Sequence, residues 1–221
     1  MESCRTGKNF DVKILADDAN AFCIKGARYV ALENKSEYKI QLINNKDVNC
    51  DAKVQIDGIN VGTWRVKANS VISIQRPSNA DRRFTFVAED SKIAKTTGHK
   101  QRAEENGLIA VTFIPELKRY EKLVDVDDVR ESRSPLTRRS SSGSRSRSIS
   151  PVRGVRSDMF AKEYAQYVGG VTVGGRKSNQ RFKDAEPINN PDKEHSEIIY
   201  IRLVVKEITT NRSAYPKRLD Q

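Results

Sequence analysis

The chain has 221 residues, which is enough for one domain of ordinary size with tails or for two small domains. Lys and Arg number 40 against 29 Asp and Glu, and the resulting net charge of +11 favours an anionic partner or an acidic protein surface. No apolar run reaches the roughly 18 residues of a membrane span, and charged residues interrupt the N-terminus where a signal peptide would lie, so we expect neither a span nor secretion.

Residues 29–114 carry short apolar alternations separated by turn residues, which is the pattern of an all-β fold. Tyr38 and Ile40 alternate with polar neighbours and predict a strand with one buried face. The Asp-Gly dipeptide at 57–58 predicts a hairpin turn, because both residues accept a positive φ. Further strands are expected at 71–75, 83–87 and 108–114.

The segment 130–156 differs in composition from its surroundings. Its arginines face one acidic residue, Glu131, so the segment carries +7 of the excess charge. Its serines and few large apolar groups cannot offset the entropy of ordering, so we predict a tether that is disordered when the protein is alone. The tether arginines are the expected contacts to an anionic partner: Arg130, Arg133, Arg138, Arg139, Arg145, Arg147, Arg153 and Arg156.

The last part of the chain returns to regular structure. Phe160, Tyr164 and Tyr167 have near-helical spacing and predict a brief helix. Residues 199–205 alternate as a strand, and one strand cannot leave its backbone groups unpaired, so we infer that it returns to the sheet of the first segment. The predicted core comprises Tyr38, Ile40, Trp64, Phe84, Phe86, Leu203 and Val205.

These features predict an antiparallel, jelly-roll-like β-sandwich with a long basic insertion and extended terminal arms. The expected parts are an N-terminal arm over 1–27, a β-sandwich over 28–116, a basic Arg/Ser-rich insertion over 117–157, a returning segment with the short helix and closing strand of the same sandwich over 158–208, and a C-terminal tail over 209–221.

Several motifs within 28–116 have a counterpart in a known type of module. They are 29–34 (YVALEN), 37–40 (EYKI), 50–52 (CDA), 56–58 (IDG), 61–65 (VGTWR) and 82–86 (RRFTF), followed later by 170–175, 178–182 (SNQRF) and 202–205 (RLVV). In them the chain resembles a β-sandwich module of virion proteins of large DNA viruses, including chlorovirus-type minor capsid proteins. The resemblance implies a capsid role for the sandwich, and it does not extend to the tether.

The sequence shows no nucleophile with a base, no paired carboxylates and no metal-ligand spacing, so we expect a non-enzyme without catalytic residues, metal or cofactor. His99 and His195 stand in polar loops without a metal-binding spacing and are expected at the surface. The acidic residues Asp125, Asp127 and Asp128 lack the Gly and Glu of a calcium loop.

The run 169–178 ends in Gly-Arg-Lys-Ser, similar to a phosphate-binding loop, but Arg176 intervenes before Lys177 and no strand–helix context surrounds it. We expect its glycines to allow tight turns or close backbone approach. Trp64 is expected in the core rather than in an aromatic platform for sugars or bases.

The cysteines are odd in number and lack a paired spacing, so we expect reduced, mostly buried thiols. They are Cys4, Cys23 and Cys50.

Together the residues and the resemblance predict a non-enzymatic structural protein that makes protein–protein contacts in a large assembly. The leading form is a minor capsid protein of a large DNA virus, made in the host cytoplasm and placed in the virion, with other capsid or assembly proteins as partners and no small-molecule substrate. The alternative is a nucleic-acid-binding protein acting through 130–156. A carbohydrate-binding attachment module would require exposed aromatic rings on one sheet face.

Overall fold

The computed structural model describes residues 7–24, 26–99, 103–117 and 168–206. Strands dominate these ranges, with one five-residue helix among them, so the all-β prediction is confirmed. None of the described helical residues forms a segment long and apolar enough to cross a membrane. The strands are β1 (Phe10–Leu15), β2 (Asn20–Ile24), β3 (Ala27–Leu32), β4 (Ser36–Glu37), β5 (Lys39–Asn44), β6 (Cys50–Ile56), β7 (Ile59–Val66), β8 (Ser70–Ile74), β9 (Arg82–Ala88), β10 (Leu108–Pro115), β11 (Gly170–Lys177) and β12 (Glu197–Val205), and the helix is α1 (Lys92–Thr96).

In the part of the chain that is described, the strands form three sheets. The largest has six strands in the order β2-β3-β12-β10-β6-β7, and the two smaller sheets have the orders β1-β5-β8 and β11-β9-β4. Backbone hydrogen bonds continue between the smaller sheets, because the Tyr38 N–H donates to Phe84 O at 3.1 Å and the Phe84 N–H donates to Gln75 O at 2.9 Å. The two smaller sheets are therefore joined by backbone hydrogen bonds to Phe84 of β9.

The β6–β7 hairpin turns at the Asp-Gly dipeptide that predicted it. Asp57 and Gly58 have φ values of 51° and 76°, in the left-handed region that suits these two residue types. The preceding strand alternates as expected, with Ala52, Val54 and Ile56 buried. The turn residue Asp57 is itself buried, which the turn pattern alone does not predict.

One apolar cluster contains side chains from all three sheets. Burying a large apolar side chain of this kind is worth roughly 1.5–3 kcal/mol relative to its exposure. Val205 is partly buried and packs against the cluster. The other predicted core residues lie within it and are Tyr38, Ile40, Trp64, Phe84, Phe86 and Leu203.

The closing strand β12 lies inside the six-stranded sheet, between β3 and β10. It runs antiparallel to β10, with Ile201 opposite Ile109. It runs parallel to β3, with Leu203 opposite Val30, so the prediction of a wholly antiparallel arrangement is wrong for this pair. This is the return to the first segment that the unpaired backbone of a lone strand requires. Val204 is also fully buried, because a second apolar cluster covers the other face of the sheet.

The N-terminal segment differs from the predicted arm over 1–27, because its residues 10–15 and 20–24 form β1 and β2. Phe10 is fully buried, and its ring stacks on Phe113 with centroids 4.7 Å apart. The acidic residue of β1 is paired in the structure: Asp11 Oδ1 lies 2.8 Å from Arg28 Nη1. A strand that buries one face tolerates charged residues on the other.

The glycine run forms β11, which pairs with β9. Gly170 shows why glycine is needed there, because a Cβ at this position would lie 2.2 Å from the ring of Phe86. The expected close approach is therefore present. The predicted insertion beyond Leu117, the helix at 160–167 and the tail over 209–221 lie outside the described residues.

Candidate functional site

A groove of about 990 Å³ lies on the face of the β11-β9-β4 sheet that points away from the main core. Side chains of a strand alternate between its two faces. Phe84 and Phe86 of β9 belong to the core, so Arg83, Thr85 and Val87 face the opposite side, where they line the groove. We call this depression the outer groove.

Glu37 lies in the outer groove, in register with Thr85 of the neighbouring strand. Its carboxylate accepts hydrogen bonds from Arg176 Nε at 2.7 Å and Nη2 at 3.0 Å, and from Arg83 Nη1 at 3.1 Å. The hydrogen bond from Arg176, supported by Arg83, holds the pKa of Glu37 down at about 2. Glu37 is therefore ionised at neutral pH, and it neutralises part of the charge of the two arginines.

Two polar atoms of residues that line the outer groove have no hydrogen-bond partner among the described residues, namely Thr85 Oγ1 and Arg83 Nε. Thr85 is only 8% exposed. The absence of a side chain at Gly175 leaves room for its hydroxyl, because a Cβ there would lie 2.0 Å from Thr85 Oγ1. Buried polar atoms are normally paired, so an acceptor from a bound partner would satisfy both.

Exposed apolar side chains lie beside these polar groups. Leu15, at the end of β1, is 40% exposed, and Ile93, on α1, is 41% exposed. Helix α1 is capped by Ser91, whose Oγ accepts from the Ala94 N–H at 3.2 Å. Ala94 packs beneath the helix against Val87, so Ile93 is held at the groove by a fixed element.

Cationic side chains outnumber acidic ones around the outer groove. Two of its three carboxylates already accept from protein donors: Glu37 from the arginines, and Asp18 from the Glu33 N–H and Ser36 Oγ. The groove therefore presents positive charge that can bind an anionic group, and apolar surface lies beside that charge. The five cations are Lys35, Lys39, Arg82, Arg83 and Arg176.

A second polar cluster, the Asp57 latch, lies at the β6–β7 turn. Asp57 Oδ1 accepts from the Gly107 N–H at 2.6 Å, and Oδ2 accepts from the Thr172 N–H at 2.7 Å. Burial raises the pKa of Asp57 to about 7, although both hydrogen bonds and the charge of Arg202 act to lower it. The latch joins the start of β10 and the start of β11 to the hairpin, so its role is structural.

The segment 178–182, the strap, runs along the edge of β8 after the chain leaves β11. Gln180 Oε1 accepts from the Gln75 N–H at 2.9 Å, and Gln180 Nε2 donates to Ser73 O at 2.7 Å. One side-chain amide thus pairs with backbone groups of an edge that would otherwise be open.

Trp64 packs under the strap rather than forming an exposed platform. It is 7% exposed, and the ring of Phe182 meets it edge-on with centroids 5.7 Å apart. The guanidinium carbon of Arg76 lies over the ring of Phe182, 4.2 Å from its centroid. The other large rings that the sequence analysis considered are also buried: Tyr38, Phe84 and Phe86.

The predicted tether arginines, Arg130 to Arg156, and the acidic stretch 125–128 lie outside the described residues. His195 lies in an exposed turn, where its Nδ1 pairs with Asp192 at 2.8 Å. His99 follows α1 and does not line the groove. No group of three metal-ligating side chains occurs in the described ranges.

One of the described cysteines differs from the expectation of reduced thiols. Cys23, in β2, is disulfide-bonded. Cys50 is a free, buried thiol, as expected. Cys4 is the third cysteine, and it lies outside the described residues. An odd count without paired spacing does not exclude one disulfide, because bonding depends on which residues the fold brings together.

The outer groove has no local signal in the sequence, because its residues are far apart in the chain. The pair Arg176–Glu37 spans 139 positions, and only the pairing of β4, β9 and β11 brings it together. No protein-family model, curated protein or solved structure matches this chain.

Proposed function

We propose that this chain is a non-enzymatic structural protein that makes protein–protein contacts in a large assembly, in the form of a minor capsid protein of a large DNA virus. In this proposal it is made in the host cytoplasm and acts in the virion. The motif resemblance over 28–116 supports the capsid assignment, and the fold supports the idea of a rigid body that carries contact surfaces.

The architecture that we propose is a jelly-roll-like β-sandwich. The six-stranded sheet would form one layer, and the two smaller sheets, joined by the hydrogen bonds of Tyr38 and Phe84, would form the other. A single apolar cluster that draws side chains from all three sheets supports this arrangement, since facing sheets share one core.

The observation that carries the proposed role is the outer groove. It combines exposed apolar residues, such as Leu15 and Ile93, with exposed cations on a surface that does not belong to the main core. Surfaces of this composition are typical of protein interfaces. The predicted tether and C-terminal tail would supply further contacts.

Cross-linking mass spectrometry on the native assembly tests this role. Lysine-reactive reagents can report on the groove through Lys35 and Lys39, and on the tether through its neighbours Lys118, Lys122 and Lys162. We expect cross-links mainly to other coat proteins. Ultraviolet irradiation of the same assembly reports contacts to nucleic acid, and cross-links of the chain mainly to nucleic acid would contradict the assembly role.

The second candidate is a nucleic-acid-binding protein acting through 130–156. The charge of that segment favours it, since eight arginines face one glutamate. Neutralising about seven phosphates gives a slope of log K against log salt near −6 on B-form DNA. Deleting 130–156 should abolish affinity and slope if binding is the function, whereas it should leave an assembly contact through the outer groove in place.

A further inference from the structure

We propose that the outer groove binds an extended, carboxylate-bearing peptide segment of a neighbouring protein, and that Glu37 competes with the incoming carboxylate for the same arginines. This inference rests on the proposed assembly role for the identity of the partner, and it goes further by naming the surface and the chemistry that recognises it.

The first support is charge complementarity. Arg176 is 80% exposed along its side chain, so its guanidinium is available to a partner while it pairs with Glu37. Arg82, Lys35 and Lys39 are also exposed around the groove. A guanidinium presents a planar fork that matches a carboxylate, so a peptide glutamate or aspartate can take the place of Glu37 at Arg176.

The second support is independent of charge. Thr85 lines the groove and is more than nine-tenths buried, and its Oγ1 has no hydrogen-bond partner among the described residues. Arg83 Nε, two residues away on the same face of β9, is also buried and has no hydrogen-bond partner among the described residues. Backbone carbonyl or carboxylate oxygens of a bound segment would supply the acceptors that these two donors lack.

The third support is the apolar surface beside these donors. Leu15, Ile93 and Val173 line the groove and would contact apolar side chains that alternate with the acidic ones. An extended chain places alternate residues on opposite sides, so a segment of alternating acidic and apolar residues satisfies both kinds of contact. A free phosphate would leave these apolar residues without a contact.

Fluorescence anisotropy tests the inference with the purified full-length chain and a short fluorescein-labelled peptide that alternates glutamate with valine. The control probe has glutamine in place of each glutamate. We expect saturable binding of the glutamate peptide. The control should bind about tenfold more weakly, because the loss of one good charge-assisted contact raises the dissociation constant about tenfold.

Variants assign the binding to the outer groove. Arg176→Ala should weaken binding about tenfold, whereas Lys177→Ala, which removes a neighbouring side chain that is also 80% exposed, should leave it unchanged. Glu37→Gln should strengthen binding, because it removes the competing carboxylate. Thr85→Val should weaken binding without lowering the melting temperature, because it deletes a buried hydroxyl that no described residue pairs.

Several results would overturn the inference. One is the absence of binding, and another is equal affinity for both peptides. Binding that is unchanged in Arg176→Ala would belong to the tether arginines instead, and weaker binding in Glu37→Gln would contradict the competition. A single-stranded oligonucleotide that binds in place of the peptide and depends on Arg176 would reassign the groove to nucleic acid. None of these results alters the cross-linking test, so the assembly role can stand or fail separately.

Discussion

Asp57 shows how one residue can serve two structural purposes. As a turn residue it accepts a positive φ, and as a buried carboxylate it accepts the backbone N–H groups of Gly107 and Thr172. The Asp-Gly dipeptide predicts the first purpose. The second depends on strands that lie up to 115 positions away, so no local pattern could indicate it.

The raised pKa of Asp57 predicts a dependence of stability on pH. Its folded-state pKa of about 7 lies above the ordinary 3.8, so its favourable contribution is complete below 3.8 and is lost as pH rises through about 7. The melting temperature of the wild type relative to Asp57→Asn should therefore fall between pH 4 and pH 8. Differential scanning calorimetry of both proteins measures this difference.

Asp90→Asn is the matched control, because Asp90 is exposed in the turn before α1. It should follow the wild type across the same range. Parallel melting curves for the wild type and Asp57→Asn would show that the latch carboxylate does not change its charge in that range.

The thiol of Cys50 should be unreactive in the folded protein. Burial raises the pKa of Cys50 to about 12, and the thiolate is the reactive form. Alkylation with iodoacetamide, followed by peptide mass mapping, should label Cys50 only after denaturation, and Cys23 only after reduction. Rapid labelling of Cys50 under native conditions, or of Cys23 without a reductant, would contradict these assignments.

At the scale of elements, periodicity predicts the strands that bury one face. β5, β6 and β10 are visible in the sequence because their buried residues alternate with polar ones. The prediction of an arm missed β1, although Phe10, Val12 and Ile14 alternate with Asp11 and Lys13 as in a half-buried strand. The prediction of strands missed β11 because glycines replace the side chains that make a pattern. The outer groove is unpredictable for the same reason, since it depends on where β11 pairs.

The strap gives a prediction for one element. Gln180→Ala should destabilise the protein by about 1–3 kcal/mol, because it leaves the Gln75 N–H and the Ser73 carbonyl without their partner. Urea denaturation followed by the fluorescence of Trp64, the one tryptophan of the chain, measures the change. Hydrogen exchange at the Gln75 amide should accelerate in the same variant.

Asn179→Ala is the control for the strap, because Asn179 is exposed in the same segment. It should stay within about 0.5 kcal/mol of the wild type. Equal stabilities of the two variants would show that the side-chain amide of Gln180 adds nothing to the β8 edge.

At the scale of the whole molecule, the position of β12 determines what can fold alone. Because β12 lies between β3 and β10, a chain that ends at Leu117 would leave both strands without their shared neighbour. We expect the fragment 1–117 to show no cooperative thermal transition, and the 130–156 deletion, which keeps β11 and β12, to retain one. Circular dichroism melting measures both, and a cooperative transition in the fragment would refute this interdependence.

The central position of β12 also has a consequence for synthesis. A ribosome must translate about 90 residues between the end of β10 and the end of β12, which takes on the order of 5–20 s at ordinary elongation rates. During that interval β3 and β10 lack the strand that lies between them, so each keeps an open edge. We therefore expect the nascent chain to depend most on chaperones while its basic insertion is being translated. A shorter insertion would shorten the time during which the open strand edges can pair with other chains.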